Sequence, residues 1–166
     1  MDLQDKIALV PGAPRGIGQA IARDLAARGA RVIGTATSAA GAETITAALQ
    51  AQGGRGVVLN VTDPAAVDAL MAELAKDGGP AILVNNAGIT RDTLAMRMKD
   101  DDWSAVIDTN LSAVFRLSRA VLKGMMKARW GRIVNITSVV GASGNAGQAN
   151  YAAAKAGVAG MTRALA

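Results

Sequence analysis

Cysteine and histidine are both absent from the 166 residues of this chain. Disulfides and thiol chemistry are therefore excluded, as are a Ser-His-Asp triad, a Cys-His pair and a histidine metal site. We predict no metal site. Any proton transfer falls to Asp, Glu, Lys, Tyr, Ser or Arg side chains.

Aromatic residues are scarce as well, at 2% of the chain, against 51% apolar residues and 19 glycines. This composition is typical of closely packed α/β layers. No apolar run approaches the roughly 20 residues that a membrane span needs. Met1 to Lys6 carries two acids and precedes no signal-peptide core. We therefore expect no membrane contact and a cytoplasmic location.

The net charge of +5 allows two interpretations. Either lysine and arginine are scattered over a soluble protein, or they serve an acidic or phosphorylated ligand. No basic stripe alternates with aromatic residues, so the sequence argues against nucleic-acid binding.

Short apolar runs alternate with segments of helical periodicity along the whole chain, which indicates one domain over residues 1–166. Parallel strands joined by right-handed crossovers follow from this alternation, so we predict an α/β, doubly wound parallel sheet. The predicted strands cover residues 7–10, 30–35, 56–60, 81–84 and 132–136. One long helix is predicted after residues 100–102, a loop over 137–148, and a last helix from residue 149 onward.

Three glycines follow the first strand, at Gly12, Gly16 and Gly18. A turn of this kind points backbone N–H groups and a helix N-terminus at one spot, which suits a phosphate. The spacing is GxxxGxG rather than the commonest dinucleotide fingerprint, and an ordinary glycine turn also fits it.

Polar and glycine residues also follow the other predicted strands, at 35–38, Asn60, 85–88 and Ser138. Ligands of doubly wound sheets bind beyond the carboxyl ends of the strands. The sequence therefore predicts one ligand site at that edge.

Tyr151 and Lys155 are four residues apart on the last predicted helix and share one face. A nearby ammonium favours loss of the tyrosine proton, which makes Tyr151 a candidate general acid. A simple surface pair has the same spacing.

Two further polar residues have open interpretations. Ser138 either holds a substrate carbonyl oxygen or is an ordinary polar strand end. Asn110 interrupts the apolar face of the long helix, as a satisfied core asparagine or as a holder of water, and its spacing does not choose between them.

Together these motifs resemble the short-chain dehydrogenase/reductase family over essentially all of 1–166, with a Rossmann-like fold. They occur in the family's order: Gly12, Gly16 and Gly18, then Asn85-Asn86-Ala87-Gly88, Asn110, Ser138, and Tyr151 with Lys155. Residues 86–92, 97–99 and 144–155 resemble the branch that reduces 3-oxoacyl groups on acyl carrier protein.

The resemblance implies NADPH-dependent reduction of the C3 ketone of an acyl chain in fatty acid biosynthesis. Tyr151 would donate the proton, and Lys155 would assist it and bind the nicotinamide ribose. Ser138 would bond the carbonyl oxygen, so that Ser138 and Tyr151 contact substrate. Asn110 would hold a water in the proton relay.

The resemblance also implies a set of cofactor-binding residues: Gly12, Ala13, Pro14, Arg15, Gly16, Ile17, Gly18, Thr37, Asn60, Val61, Asn86, Ala87, Gly88, Tyr151 and Lys155. An acid after the second strand would select NAD by bonding the ribose 2′-hydroxyl. No acid lies between Asp24 and Glu43. Arg15 and Thr37 suit a 2′-phosphate instead, so NADP is expected.

Three departures from the family pattern suggest a poor enzyme. Pro11 replaces the usual threonine and Pro14 the usual serine, and each removes a backbone N–H. Family members also continue well beyond this length, so we expect a domain incomplete at its C-terminus, without the later strands and the lid. The fifth strand would then be an exposed edge.

Partners are expected too. The family self-associates as a dimer or tetramer through the long and last helices. Lys123, Lys127, Arg129 and Arg132 form a candidate docking patch for acidic acyl carrier protein, or a solvated helix end. The alternatives are a reductase of another 3-oxo thioester, such as a CoA ester, and a non-catalytic fragment that self-associates.

Overall fold

A computed structural model describes residues 3–166 of the chain. Met1 and Asp2, where the stretch considered as a signal peptide begins, lie outside the described residues. The five strands are β1 Ile7–Pro11, β2 Arg31–Ala36, β3 Arg55–Val58, β4 Ile82–Asn85 and β5 Arg132–Asn135. They form one parallel sheet in the order β3-β2-β1-β4-β5, which confirms the predicted fold class.

Within residues 3–166, seven α-helices surround the sheet: α1 Gly16–Ala27, α2 Ala39–Leu49, α3 Pro64–Ala75, α4 Asp100–Ile107, α5 Ala113–Ala128, α6 Val140–Ser143 and α7 Ala149–Leu165. Asp63 caps α3, because its side chain accepts hydrogen bonds from the amides of Ala65 and Ala66. No helix of the described residues is long and apolar enough to cross a bilayer.

Alternate residues of β1 point to opposite faces of the sheet. Ala8 and Val10 pack in a cluster that includes side chains of α1 and α2. Ile7 and Leu9 pack in a second cluster with α3 and α5. Both faces of the sheet are therefore covered by helices, as in a doubly wound sheet.

Several predicted boundaries were wrong by a residue or two. β3 begins at Arg55, which pairs with Ile33, and it ends at Val58, so Asn60 leaves the strand. β4 extends to include Asn85. The predicted loop after β5 contains the single helical turn α6. An apolar run reports burial, whereas the ladder of backbone hydrogen bonds decides where a strand ends.

The long helix is not uniform. A π-helical segment, Asp108–Ser112, joins α4 to α5, and the amide of Ala113 donates to the carbonyl of Asp108. An extra residue in one turn shifts the helix face that follows it. Trp103 of α4 and Phe115 of α5 are 41% and 45% exposed.

β1 runs through Pro11, one residue further than predicted. Pro11 is buried and lies in register with Thr35 of β2. The ladder between β1 and β4 reaches only Leu9 and Leu83. Pro11 has no N–H with which to extend that ladder, so the pairing of the central strand with β4 stops before it.

Candidate active site

The turn after β1 is shaped by close contact with the end of β4. Gly12 has a φ of +75°, and a Cβ there would lie 3.0 Å from the Cα of Ala87. A Cβ at Gly18 would collide with the Gly12 carbonyl oxygen and the Asn86 side chain. Asn86 Nδ2 donates to the carbonyls of Pro11 and Gly12, at 3.2 and 2.9 Å. The glycines therefore let one asparagine hold the turn.

The N-terminus of α1 opens beside this turn. Its N-cap residue, Arg15, is extended and makes no side-chain capping bond. The first amides of a helix have no partner within it, and Gly16 has open space where a side chain would be. These amides can bind an anion. Pro14 contributes no N–H, and its carbonyl accepts a bond from Gln19 Nε2 at 3.2 Å.

A cleft of about 540 Å³ lies at the carboxyl ends of the strands. It is lined by Gly12, Pro14, Arg15, Gly16, Ile17, Gly18, Thr35, Ala36, Thr37, Leu59, Asn60, Val61, Asn86, Ala87, Gly88, Ile89 and Thr109. Twelve of the residues predicted to bind cofactor are in this set, and five lining residues were not among the predicted ones: Thr35, Ala36, Leu59, Ile89 and Thr109. Thr109 was missed because a helical pattern alone does not show that it faces a cleft.

Ala13, Tyr151 and Lys155 do not line this cleft. Ala13 is buried in the core, and its amide donates to the carbonyl of Thr35 at 3.1 Å. Ala13 therefore offers the cleft neither a side chain nor a free N–H.

The chemistry of the cleft fits a phosphorylated dinucleotide. The side chains that line it include Arg15 and Thr37 and no carboxylate. A cation and a hydroxyl suit a 2′-phosphate, whereas a carboxylate would be needed for a free 2′-hydroxyl. The uncapped α1 amides supply donors for a pyrophosphate.

Lys155 is buried, at 6% exposure, and its Nζ donates to the carbonyl of Ile136 at 2.7 Å. Its Nζ lies 5.7 Å from the centroid of the Tyr151 ring. Burial lowers the pKa of Lys155 below its usual value. A cation held this close can stabilise negative charge on the tyrosine.

Ser138 follows β5 and is half-buried. Its Oγ accepts a hydrogen bond from the amide of Val140 at 3.2 Å, which leaves its own O–H free to donate. A Cβ at Gly141 would lie 3.0 Å from the Cβ of Lys155, so the turn after Ser138 packs directly on α7. The fold thus brings the Ser138 segment to the helix that carries Tyr151.

Asn110 lies in the π-helical segment and is fully buried. Its Oδ1 accepts from the Ile89 amide and its Nδ2 donates to the Ile89 carbonyl, both at 2.8 Å. The side chain is therefore a satisfied core asparagine that holds the loop after β4. The water-holding role stays a prediction.

Comparison of the whole sequence with known proteins finds a matching family model and close relatives. A family model described as short chain dehydrogenase matches residues 6–166. A protein of Pseudomonas aeruginosa named 3-oxoacyl-[acyl-carrier-protein] reductase FabG is 63% identical, and those of Salmonella typhimurium and Escherichia coli with the same name are 61% and 60% identical. Each match covers 100% of this chain and 68% of the relative.

Proposed function

The chain belongs to the short chain dehydrogenase family, and on that premise we propose that it reduces 3-oxoacyl groups on acyl carrier protein with NADPH. The relatives at 60–63% identity carry the name of that activity. The substrate and the cofactor come to this chain from that name and from the chemistry of its cleft.

The observation that carries the proposal is the environment of Lys155. A buried ammonium, fixed at 2.7 Å on the Ile136 carbonyl, stands beside the ring of Tyr151. Burying a cation is costly unless it is hydrogen-bonded. In a simple surface pair the ammonium would stay in water and avoid that cost. A tyrosine that donates a proton, in contrast, is assisted by a cation held beside it.

The cofactor would lie in the cleft at the carboxyl ends of the strands. The α1 amides would hold its pyrophosphate, and Arg15 and Thr37 its 2′-phosphate. When bound, NADPH supplies a hydride to the C3 carbonyl carbon of the substrate.

The chain's own residues would handle the oxygen of that carbonyl. The free O–H of Ser138 would donate a hydrogen bond to it, and the Tyr151 O–H would give it a proton. The Lys155 ammonium would stabilise the phenolate that remains.

We also propose the partners that the resemblance implies. The exposed Trp103 and Phe115 on α4 and α5 support self-association through these helices and α7. Lys123, Lys127 and Arg129 are exposed at the end of α5 and suit an acidic carrier protein. The cytoplasmic location stays a prediction.

The test is NADPH oxidation with an acetoacetyl thioester, compared between the wild type and Tyr151→Phe. The variant should lose about 10²–10⁴-fold in kcat, the usual contribution of a general acid. NADPH binding, followed by quenching of Trp103 or Trp130, should be nearly unchanged because the ring remains. Turnover by the variant at the wild-type rate would contradict the proposal, and no NADPH binding by the wild type would favour the non-catalytic alternative.

A further inference from the structure

Asn150 precedes the proposed proton donor and is fully buried. It lies in the first turn of α7, whose N-cap residue, Gln148, makes no side-chain capping bond. Asn150 Oδ1 accepts from the amide of Tyr151 at 2.8 Å. The side chain that satisfies the start of this helix is therefore Asn150.

The Nδ2 group of the Asn150 side chain hydrogen-bonds two further segments of the chain. Nδ2 donates to the carbonyl of Arg91 at 3.1 Å and to that of Asp102 at 3.4 Å. Asn150 thus ties α7 to the loop after β4 and to the first turn of α4. Asn110 hydrogen-bonds the same loop two residues earlier, at the backbone of Ile89.

We infer that Asn150 is a positioning residue that sets Tyr151 relative to the cleft, an inference that rests on the proposed function. Ile89 lines the cleft, so the loop held by these two buried amides forms part of the cofactor site. A buried amide with both ends bonded is rigid, because breaking any of its bonds leaves a buried polar group unpaired. Asn150 therefore fixes the backbone of Tyr151 relative to the loop that lines the cleft.

The test compares Asn150→Ser with Asn135→Ser. Asn135 is also held at both ends of its amide, by Asn85 Nδ2 at 2.7 Å and by Thr162 Oγ1 at 2.9 Å, and it has no bond to Tyr151. Removing either amide should lower the melting temperature. Only Asn150→Ser should lower kcat, by about tenfold to a hundredfold, as small displacements of reacting groups do. The NADPH Kd should stay within about twofold of the wild type in both variants, since Asn110 still holds the cleft-lining residue Ile89 in each of them.

Hydrogen exchange at the amides of Tyr151 and Thr93 provides a readout that needs no turnover. The Thr93 amide donates to the Gly147 carbonyl, so it reports on the contact between the two loops. Asn150→Ser should speed exchange at both amides, and Asn135→Ser at neither. Asn150→Asp replaces Asn150→Ser if the latter does not fold. It keeps an acceptor for the Tyr151 amide and loses both donors, so it should speed exchange at Thr93 alone.

Equal losses of kcat in the Asn150 and Asn135 variants would overturn the inference, as would unchanged exchange at Tyr151 and Thr93 in the Asn150 variant. A wild-type chain that shows no turnover would refute the proposed function alone. Coupled exchange at the two amides would then still support the positioning role.

Discussion

Arg15 is the cation that lines the cleft at the N-cap of α1. We predict that Arg15→Ala weakens NADPH binding about tenfold or more and leaves NADH binding nearly unchanged. A charge-assisted hydrogen bond to the 2′-phosphate contributes roughly 1.5–3 kcal/mol, and NADH lacks that group. Fluorescence titration with both cofactors checks this prediction. Equal weakening for the two would assign Arg15 to the pyrophosphate or to the fold.

Lys155 should make stability depend on pH. Its pKa is lowered in the folded protein by burial, whereas in the unfolded chain it returns to about 10.5. Between these two values the unfolded state binds more protons, so the free energy of unfolding rises with pH. This contribution is complete above about 10.5 and is lost as the pH falls through the folded pKa.

Urea unfolding of the wild type and Lys155→Met from neutral to alkaline pH tests this dependence. The difference in unfolding free energy, wild type minus variant, should increase as the pH rises. Parallel curves for the two proteins would show that burial does not lower the pKa of Lys155.

At the residue scale, residue type, spacing and the family resemblance together singled out Ser138, Tyr151 and Lys155. The structure brings the segments that carry them together, and their catalytic roles stay predictions. Asn150 was missed, since nothing in a helical pattern distinguishes a buried asparagine from an exposed one. Ala13 was assigned to the cleft because it lies between lining residues, yet its amide and side chain both face inward.

At the scale of elements, Pro11 ends β1 and Pro14 lies in the turn that follows. We expect Pro11 to affect stability and Pro14 to affect cofactor binding. Pro11→Thr restores an N–H at the buried end of the central strand, worth about 1 kcal/mol net. A rise in melting temperature of about 2–4 °C is expected for a chain of this size. Pro14→Ser restores an N–H in the turn beside the cleft and should tighten NADPH binding without changing the melting temperature.

Thermal unfolding and cofactor titration of the two single variants and the double variant distinguish these effects. A fall in melting temperature with Pro11→Thr would mean that the rigidity of proline in the unfolded chain outweighs the added hydrogen bond. No change in NADPH affinity with Pro14→Ser would remove this position from the phosphate site.

The alternation of strands and helices was predictable because burial dictates it, one apolar run for each strand and one apolar stripe for each helix. The π-helical segment between α4 and α5 was not. A helical pattern assumes 3.6 residues a turn, and the Asn110 amide and the loop it holds favour a wider turn only in the folded protein.

For the whole molecule, the basic patch and the cleft lie at opposite ends of the sheet. Lys127 and Arg129 precede β5, whereas the cleft follows the carboxyl ends of the strands. Arg132 is already engaged, since it stacks on Trp130 at 5.0 Å. Docking would therefore rely on Lys123, Lys127 and Arg129.

We predict that Lys127→Glu with Arg129→Glu raises KM for carrier-bound substrate by about tenfold at low salt and spares a small thioester. Steady-state kinetics with both substrates measure this. Arg23→Glu with Lys76→Glu, an equal charge reversal at exposed positions elsewhere, should leave both KM values unchanged. If both double variants behave alike, overall charge and not the patch attracts the carrier.

The position of β5 at the edge of the sheet determines which part of the site we expect to be lost first on warming. An edge strand has one neighbour and opens at a lower free energy than the strands inside the sheet. β5 leads directly into Ile136, whose carbonyl holds Lys155, and into Ser138. Most of the cleft, by contrast, is built on the inner strands β1, β2 and β4, and only residues 59–61 follow the other edge strand, β3. On warming, the proton-handling side chains should therefore lose their arrangement while the nucleotide cleft is still intact, so that the chain fails as a catalyst before it fails as a binder.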